Sequence, residues 1–208
     1  MKTILLLVMV SIFSLGFVVE RPSKSFYTTY IEDNSRLSIE GSSNVNTFEC
    51  NSNDKSAPLS VGISTSSNGD TLLLTNAGIL LRTKTLDCNN TKMNSDLCAA
   101  LKAEQYPSIK IDLLGVITKD GSRFDDIENE WKTVKALAAF TITNVTKRVV
   151  MEVRVRRIED GKFRFMSHKE VKMTDYNIQP PEALFGMIKV NNVINITMDI
   201  TARLVRES

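Results

Sequence analysis

The chain has 208 residues, of which 42% are hydrophobic, and it carries 26 lysines and arginines against 24 aspartates and glutamates. This length predicts one domain beside a targeting segment, and the hydrophobic content excludes a disordered chain. The near balance of charge, with no basic run, gives no reason to expect a nucleic-acid partner.

The first residues, 1–20, differ in kind from the rest of the chain. A positively charged start precedes a mainly apolar run over 4–15, and small residues stand at Ser14 and Gly16. This arrangement is typical of a secretory signal peptide. An uncleaved N-terminal anchor is the alternative, because the apolar stretch continues to Val19. We therefore expect an exported protein, periplasmic or secreted.

Extended segments follow one another in the first half of the chain. Patterns rich in alternating or β-branched residues predict strands at 26–31, 36–41, 45–50 and 59–63, and a hairpin of 72–75 and 79–86 joined through 76–78. One short helix is predicted next, capped by Asn94 or Ser95 and ended by the proline at 107. The strand pattern resumes at 109–113.

The stretch 136–157 has the strongest pattern. Apolar residues at the odd positions of 149–155 alternate with mostly charged ones, which predicts a strand with one apolar face. A β-rich segment at 140–142 precedes it, and the connection 143–147 contains Asn144, which tolerates left-handed backbone. These features predict a β-hairpin. Because an isolated hairpin is unstable in water, its apolar face must pack on more sheet or close into a barrel.

Two more long alternating strands are predicted, at 163–173 and 194–204, with the loop that contains Pro180 and Pro181 between them. Strands at short spacing with one helix favour an antiparallel sandwich or barrel. An outer-membrane barrel also shows such alternation, but the helix, the proline loop and the single tryptophan argue against it.

Five stretches carry a family resemblance when they are taken together and in order. They are S-N-V at 43–45 with Phe48, the segments 86–94 and 101–109, T-I-T-N-V-T-K-R-V at 141–149, and M-T-D-Y at 173–176 with the prolines and 185–186 beyond it. Together they resemble the YceI-like family of exported lipid-binding barrels. The sequence has Asn144 where the family commonly has glycine, and at Met173 and 93–94 it lacks charged residues that could meet a lipid head group.

The resemblance implies an all-β protein, an antiparallel lipocalin-like barrel of about eight strands over 26–206 with one short α-helix packed beside it. It implies an apolar tunnel for a long-chain lipid, such as a polyisoprenoid or an isoprenoid quinone, with no catalysis and no other cofactor. Membrane contact would be limited to the N-terminal segment or to lipid exchange. A homodimer is compatible with the sequence.

The candidate ligand-binding residues are inward-phase aromatic, methionine and aliphatic side chains and one loop residue, which suit a long apolar ligand. They are Phe140, Ile142, Met151, Val153, Phe163, Phe165, Met173, Phe185 and Met198. The alternation equally fits a filled core without a ligand, and then the protein would be a structural or interaction barrel of the cell envelope. Lys169 shares the apolar phase, so it either meets an anionic head group at a tunnel mouth or reaches solvent.

No catalytic or metal-binding motif stands out. His168 is the only histidine, and its phase places it on the solvent face of its strand. The acidic residues 125–126, Glu128 and Glu130 lack the spacing of an EF-hand and are expected to be solvated. A hydrolase is therefore the least favoured class.

Three cysteines allow one disulfide and one free thiol in an exported protein. Cys50 and Cys88 end neighbouring strand-like segments, whereas Cys98 lies on the predicted helix. This favours a bridge between Cys50 and Cys88, and three reduced cysteines are the alternative.

Overall fold

A computed structural model describes residues 24–66, 69–117, 127–183 and 185–208. The predicted N-terminal segment 1–20 and the acidic pair 125–126 lie outside the described residues. Within these ranges the chain forms fourteen strands, one α-helix and short 3-10 turns.

The strands and the helix follow in chain order. They are β1 (Ser25–Ile31), β2 (Arg36–Ser42), β3 (Thr47–Ser52), β4 (Leu59–Thr65), β5 (Thr71–Thr75), β6 (Gly78–Arg82), β7 (Leu86–Asp87), α1 (Thr91–Ala100), β8 (Ser108–Ile117), β9 (Lys132–Ile142), β10 (Val145–Glu159), β11 (Lys162–Lys172), β12 (Glu182–Ala183), β13 (Ile188–Lys189) and β14 (Val193–Arg206).

Eight of these strands close into a ring. Their order is β1, β4, β5, β8, β9, β10, β11 and β14, and β14 pairs back to β1. The closing ladder is antiparallel and runs from Tyr27 opposite Arg206 to Ile31 opposite Ala202. The predicted antiparallel barrel of about eight strands with one helix is confirmed.

Two long strands extend the wall beyond this ring. The N-terminal part of β14 pairs with β2, which leads on to β3 and β7. The N-terminal part of β8 pairs with β6. The predicted hairpin of 72–75 and 79–86 is therefore wrong, because β5 and β6 pair one after the other with β8 and not with each other. Asn76, at φ 60°, bends the chain between them, and the Ala77 carbonyl accepts a hydrogen bond of 2.7 Å from the Leu113 N–H.

The hairpin of β9 and β10 forms as predicted, but its turn differs in detail. The turn contains only Thr143 and Asn144, and the residue with positive φ is Thr143, at 54°, not Asn144. A β-branched residue is unusual in this region of backbone space. The Thr143 hydroxyl lies 2.7 Å from the Tyr176 carbonyl, to which it can donate. This contact ties the turn to the 3-10 segment Met173–Tyr176.

Helix α1 begins three residues before the first predicted cap. Its N-cap is Asn90, whose side chain accepts a hydrogen bond of 3.0 Å from the Met93 N–H. Asn94 has another role, because its Oδ1 accepts a 2.7 Å hydrogen bond from the Cys88 N–H and its Nδ2 donates to Asp87. The prediction of a cap at Asn94 or Ser95 is wrong because the asparagine four residues earlier offers the same chemistry.

The apolar phase of β10 faces the interior, as its alternation predicts. Met151 and Val155 are buried, whereas Val150, on the opposite phase of the strand, is 51% exposed. Within the described ranges, no helix is both long enough and apolar enough to cross a membrane.

A disulfide joins Cys50 on β3 to Cys88, which directly follows β7. This is the pairing that the positions of the three cysteines favour. Cys98 on α1 is a free thiol.

Candidate functional site

The closed ring surrounds an apolar cavity of about 460 Å³, here called cavity A. All eight strands of the ring contribute inward-facing residues to its wall. One from each strand, in ring order, is Thr29, Val61, Leu72, Val116, Ala136, Val153, Phe165 and Leu204. Because the ring is closed, the wall of cavity A has no sheet edge whose backbone groups would need water.

Polar groups in the wall of cavity A are few. The Thr29 hydroxyl is buried and has no hydrogen-bond partner among the described residues. The exposed residues Lys132 and Lys135, at the start of β9, also contact the cavity. Cavity A can therefore hold an apolar chain, with charged side chains where the wall reaches solvent.

A second, smaller cavity of about 250 Å³, here called cavity B, lies beneath helix α1. Met93 and Leu97 of the helix, Phe48 of β3 and Pro181 of the proline loop contribute to its lining. An ion pair between Lys92 and Asp96 stands beside it on the helix. No described residue lines both cavities.

A polar depression of about 790 Å³ also lies on the protein. Its lining includes Asp33, Asn53 and Lys55, and an ion pair of 3.6 Å joins Lys55 to Asp33 there. Charged and amide groups of this kind do not suit an apolar ligand.

The predicted ligand-binding residues are distributed over several places. Val153 and Phe165 line cavity A. Ile142 and Met173 line cavity B. These four residues therefore do not form one continuous wall.

The other candidates lie outside both linings. Phe140 and Met151 are buried in the main core, with Met198 packed against it. Phe163 is buried in a second, small core cluster with Ile127 and Val155. Phe185 is fully exposed on the loop between β12 and β13.

Strands β1, β4 and β5 contribute residues to cavity A that were not among the predicted ligand-binding residues. Val61 and Ile63 share one phase of β4, and Leu72 and Leu74 share one phase of β5. This alternation was a usable signal, but each strand has only a few residues, so the pattern was short.

Of its two predicted positions, Lys169 has the one at solvent, because its ammonium lies at an exposed contact between β10 and β11. The pairing of β10 with β11 ends at Val153 opposite Ser167, and the Lys169 ammonium donates a 3.2 Å hydrogen bond to the Val150 carbonyl beyond that point. The side chain thus bridges the two strands where their backbone ladder has ended.

The residues considered for chemistry are not assembled into a reactive centre. His168 is exposed on the outer face of β11, where its Nδ1 lies 3.2 Å from the Thr197 hydroxyl. Among the described residues, no three histidine, cysteine or acidic side chains form a group that could hold a metal ion. Arg164 hydrogen bonds hold the pKa of the Asp199 carboxyl below its ordinary value, but this pair is on the outer wall and not at either cavity.

The fold and cavity A define a lipocalin-like β-barrel with an apolar interior. A family model described as the YceI-like domain matches residues 26–202. The chain belongs to the YceI-like family. The sequence has no significant match among curated proteins.

Solved structures share this fold. A polyisoprenoid binding domain from Saccharophagus degradans, implicated in plant cell wall breakdown, shares 11% identity with a TM-score of 0.59, over 88% of this chain and 99% of the other. BcnA from Burkholderia cenocepacia shares 13% identity with a TM-score of 0.58, over 80% of this chain and 95% of the other. At these identities the likeness shows the fold alone.

Proposed function

We propose that this protein binds a long-chain apolar lipid, such as a polyisoprenoid or an isoprenoid quinone, in cavity A and stores or carries it without chemical change. The observation that carries this proposal is an apolar cavity lined by every strand of a closed ring. Membership of the YceI-like family and the polyisoprenoid binding domain among the similar structures support it.

Hydrophobic transfer alone is enough to hold such a ligand. Each methylene group that leaves water for an apolar site contributes about 0.8 kcal/mol. A chain that fills cavity A therefore needs no specific polar contact. A general esterase and phosphatase screen is expected to find no activity, since the described residues that line cavity A include no serine, cysteine or histidine.

Export and lipid exchange with a membrane belong to the same proposal. The signal-like segment 1–20 would direct the chain out of the cytoplasm. The disulfide between Cys50 and Cys88 suits an oxidising compartment.

A structural or interaction barrel without a ligand is the second candidate. It is favoured by the middle of the barrel, where Phe140 and Met151 are buried and fill space that a continuous tunnel would need. The two candidates differ in whether cavity A is occupied.

Val153→Phe compared with Val150→Phe tests the proposal. Both substitutions are on β10, but Val153 lines cavity A and Val150 faces solvent. We expect native mass spectrometry of the unmodified protein, gently purified from a bacterial host, to show bound lipid. Val153→Phe should lower the bound fraction about tenfold by filling the cavity, and Val150→Phe should not change it.

One result would contradict the carrier function, and another would contradict the placement of the ligand in cavity A. The first is an unmodified protein that stays empty after exposure to a total lipid extract, which would favour the structural barrel. The second is an equal loss of lipid in both variants, which would mean that the added ring disturbs the strand and not the cavity. Thermal unfolding of all three proteins shows whether either variant has lost stability.

A further inference from the structure

The two cavities are separated by a layer of side chains that crosses the barrel. On β9 the inward residues follow in the order Ala136, Ala138, Phe140 and Ile142. Ala136 lines cavity A and Ile142 lines cavity B, whereas Ala138 and Phe140 line neither. Phe140 is 0% exposed.

The strand on one side of β9 repeats this order. On β8, Leu113 lines cavity A and Ile109 lines cavity B. Ile111, midway between them, lines neither, and it lies opposite Phe140 in the β8–β9 ladder. The side chains that separate the two cavities therefore include one on β8, next to Phe140.

Strand β14 shows the same arrangement, and β10, the other neighbour of β9, shows the part of it next to cavity A. On β14, Ala202 lines cavity A and Ile196 lines cavity B, while Met198 between them packs against the main core. On β10, the inward residue next to Val153 is Met151, which is buried and lines neither cavity. We call Ile111, Ala138, Phe140, Met151 and Met198 the central layer.

Phe140 has the largest side chain of the central layer. The two preceding inward residues on β9 are alanines, and the first of them, Ala136, lines cavity A. Because protein interiors are close-packed, a fully buried phenylalanine ring leaves no passage for a lipid chain beside it.

We propose that the central layer, with Phe140 as its principal member, closes the inner end of cavity A and sets the length of the lipid chain that the barrel accepts. This inference rests on the proposed function. It narrows the proposed class of ligand to isoprenoids whose enclosed chain ends at Phe140, and it excludes a chain that must occupy both cavities.

Isoprenoid alcohols of increasing length test the inference. Farnesol, geranylgeraniol and solanesol are offered singly and as an equimolar mixture, and binding is followed by native mass spectrometry and by titration. We expect the unmodified protein to bind farnesol at least about tenfold more tightly than solanesol. Phe140→Ala should join the cavities and improve solanesol binding about tenfold, with little change for farnesol.

Phe163→Ala is the matched control. Phe163 is also a buried, inward-facing phenylalanine and lines neither cavity, but it lies in the second core cluster with Val155, which lines cavity A. This variant removes a buried ring of the same size without opening the central layer, so it should keep the preference of the unmodified protein.

The outcomes separate the inference from the function on which it rests. If the unmodified protein binds solanesol as tightly as farnesol, or if Phe140→Ala keeps the preference for farnesol, the central layer does not limit chain length although lipid binding stands. If none of the three proteins binds any alcohol, both proposals fail. Should Phe140→Ala not fold, Phe140→Leu and the preference of the unmodified protein provide the same test.

Discussion

Thr29 places a polar side chain in apolar surroundings. It faces cavity A from β1, opposite Leu204, and its hydroxyl is buried without a hydrogen-bond partner among the described residues. A buried hydroxyl without a partner costs about 1–3 kcal/mol relative to water. A methyl group in the same place would avoid that cost.

Thr29→Val should therefore stabilise the lipid-free protein by about 1 kcal/mol, and urea denaturation would measure the gain. Thr28→Val is the control, because the Thr28 hydroxyl faces outward and donates a 3.0 Å hydrogen bond to Glu207. That variant should lose a little stability. A loss of stability in Thr29→Val would show that the hydroxyl is hydrogen-bonded in solution, and loss of lipid with it would show a polar contact to the ligand.

Single residues also show how far the sequence could predict the site. Alternation predicted which residues face inward, and Val153 and Phe165 do line cavity A. It could not predict depth, because a period of two tells only on which face of the sheet a residue lies. Depth depends on how each strand is offset against its neighbours, which is why Ile142 and Met173 are at cavity B instead.

At the scale of elements, side-chain hydrogen bonds determine the conformation of the β9–β10 turn and the contacts of helix α1, which residue propensities alone could not predict. The turn at Thr143 is joined to Tyr176, and Asn94 of α1 is joined to Asp87 and Cys88. Both sets of contacts connect neighbouring or distant segments, whereas a sequence pattern predicts each segment by itself. The strands themselves were predictable because each carries its own alternation.

The loop between β12 and β13 offers a test of where lipid enters. Phe185 is fully exposed there, and its neighbours Glu182 and Ile188 line cavity B, not cavity A. With the central layer closed, a change at this loop cannot reach cavity A. Phe185→Asp should therefore leave the lipid content of the purified protein unchanged.

Leu80→Asp is the appropriate control, because Leu80 is another strongly exposed apolar residue, on β6. Both variants are compared with the unmodified protein by extraction and mass spectrometry of bound lipid. A loss of lipid in Phe185→Asp alone would place uptake at the end of the barrel that contains cavity B. The central layer would then have to open during uptake.

At the scale of the whole molecule, closure of the barrel could not be predicted from local sequence patterns. Each predicted strand follows from a few neighbouring residues, whereas the closing ladder joins Tyr27 to Arg206, near the two ends of the barrel domain. The barrel was expected from the order of the family motifs. The closed ring then explains why cavity A needs residues from every strand.

The disulfide acts on a different part of the molecule from this closure. Cys50 and Cys88 are 38 residues apart in sequence, and their bond holds the two-residue strand β7 against β3, outside the closed ring. Cys50 lines cavity B, and neither cysteine lines cavity A. The bridge should therefore stabilise the fold without shaping the proposed ligand site.

The double variant Cys50→Ala and Cys88→Ala should lose about 3–4 kcal/mol of unfolding free energy, because a cross-link over a loop of this length restricts the unfolded chain. Equilibrium urea denaturation measures the loss, and Cys98→Ala, which removes only the free thiol, should stay near the unmodified protein. The lipid content of the double variant should persist at temperatures where it remains folded. An unchanged stability would mean that the bridge is absent in the purified protein, and a loss of lipid from a folded double variant would show that the region around β7 and cavity B supports cavity A after all.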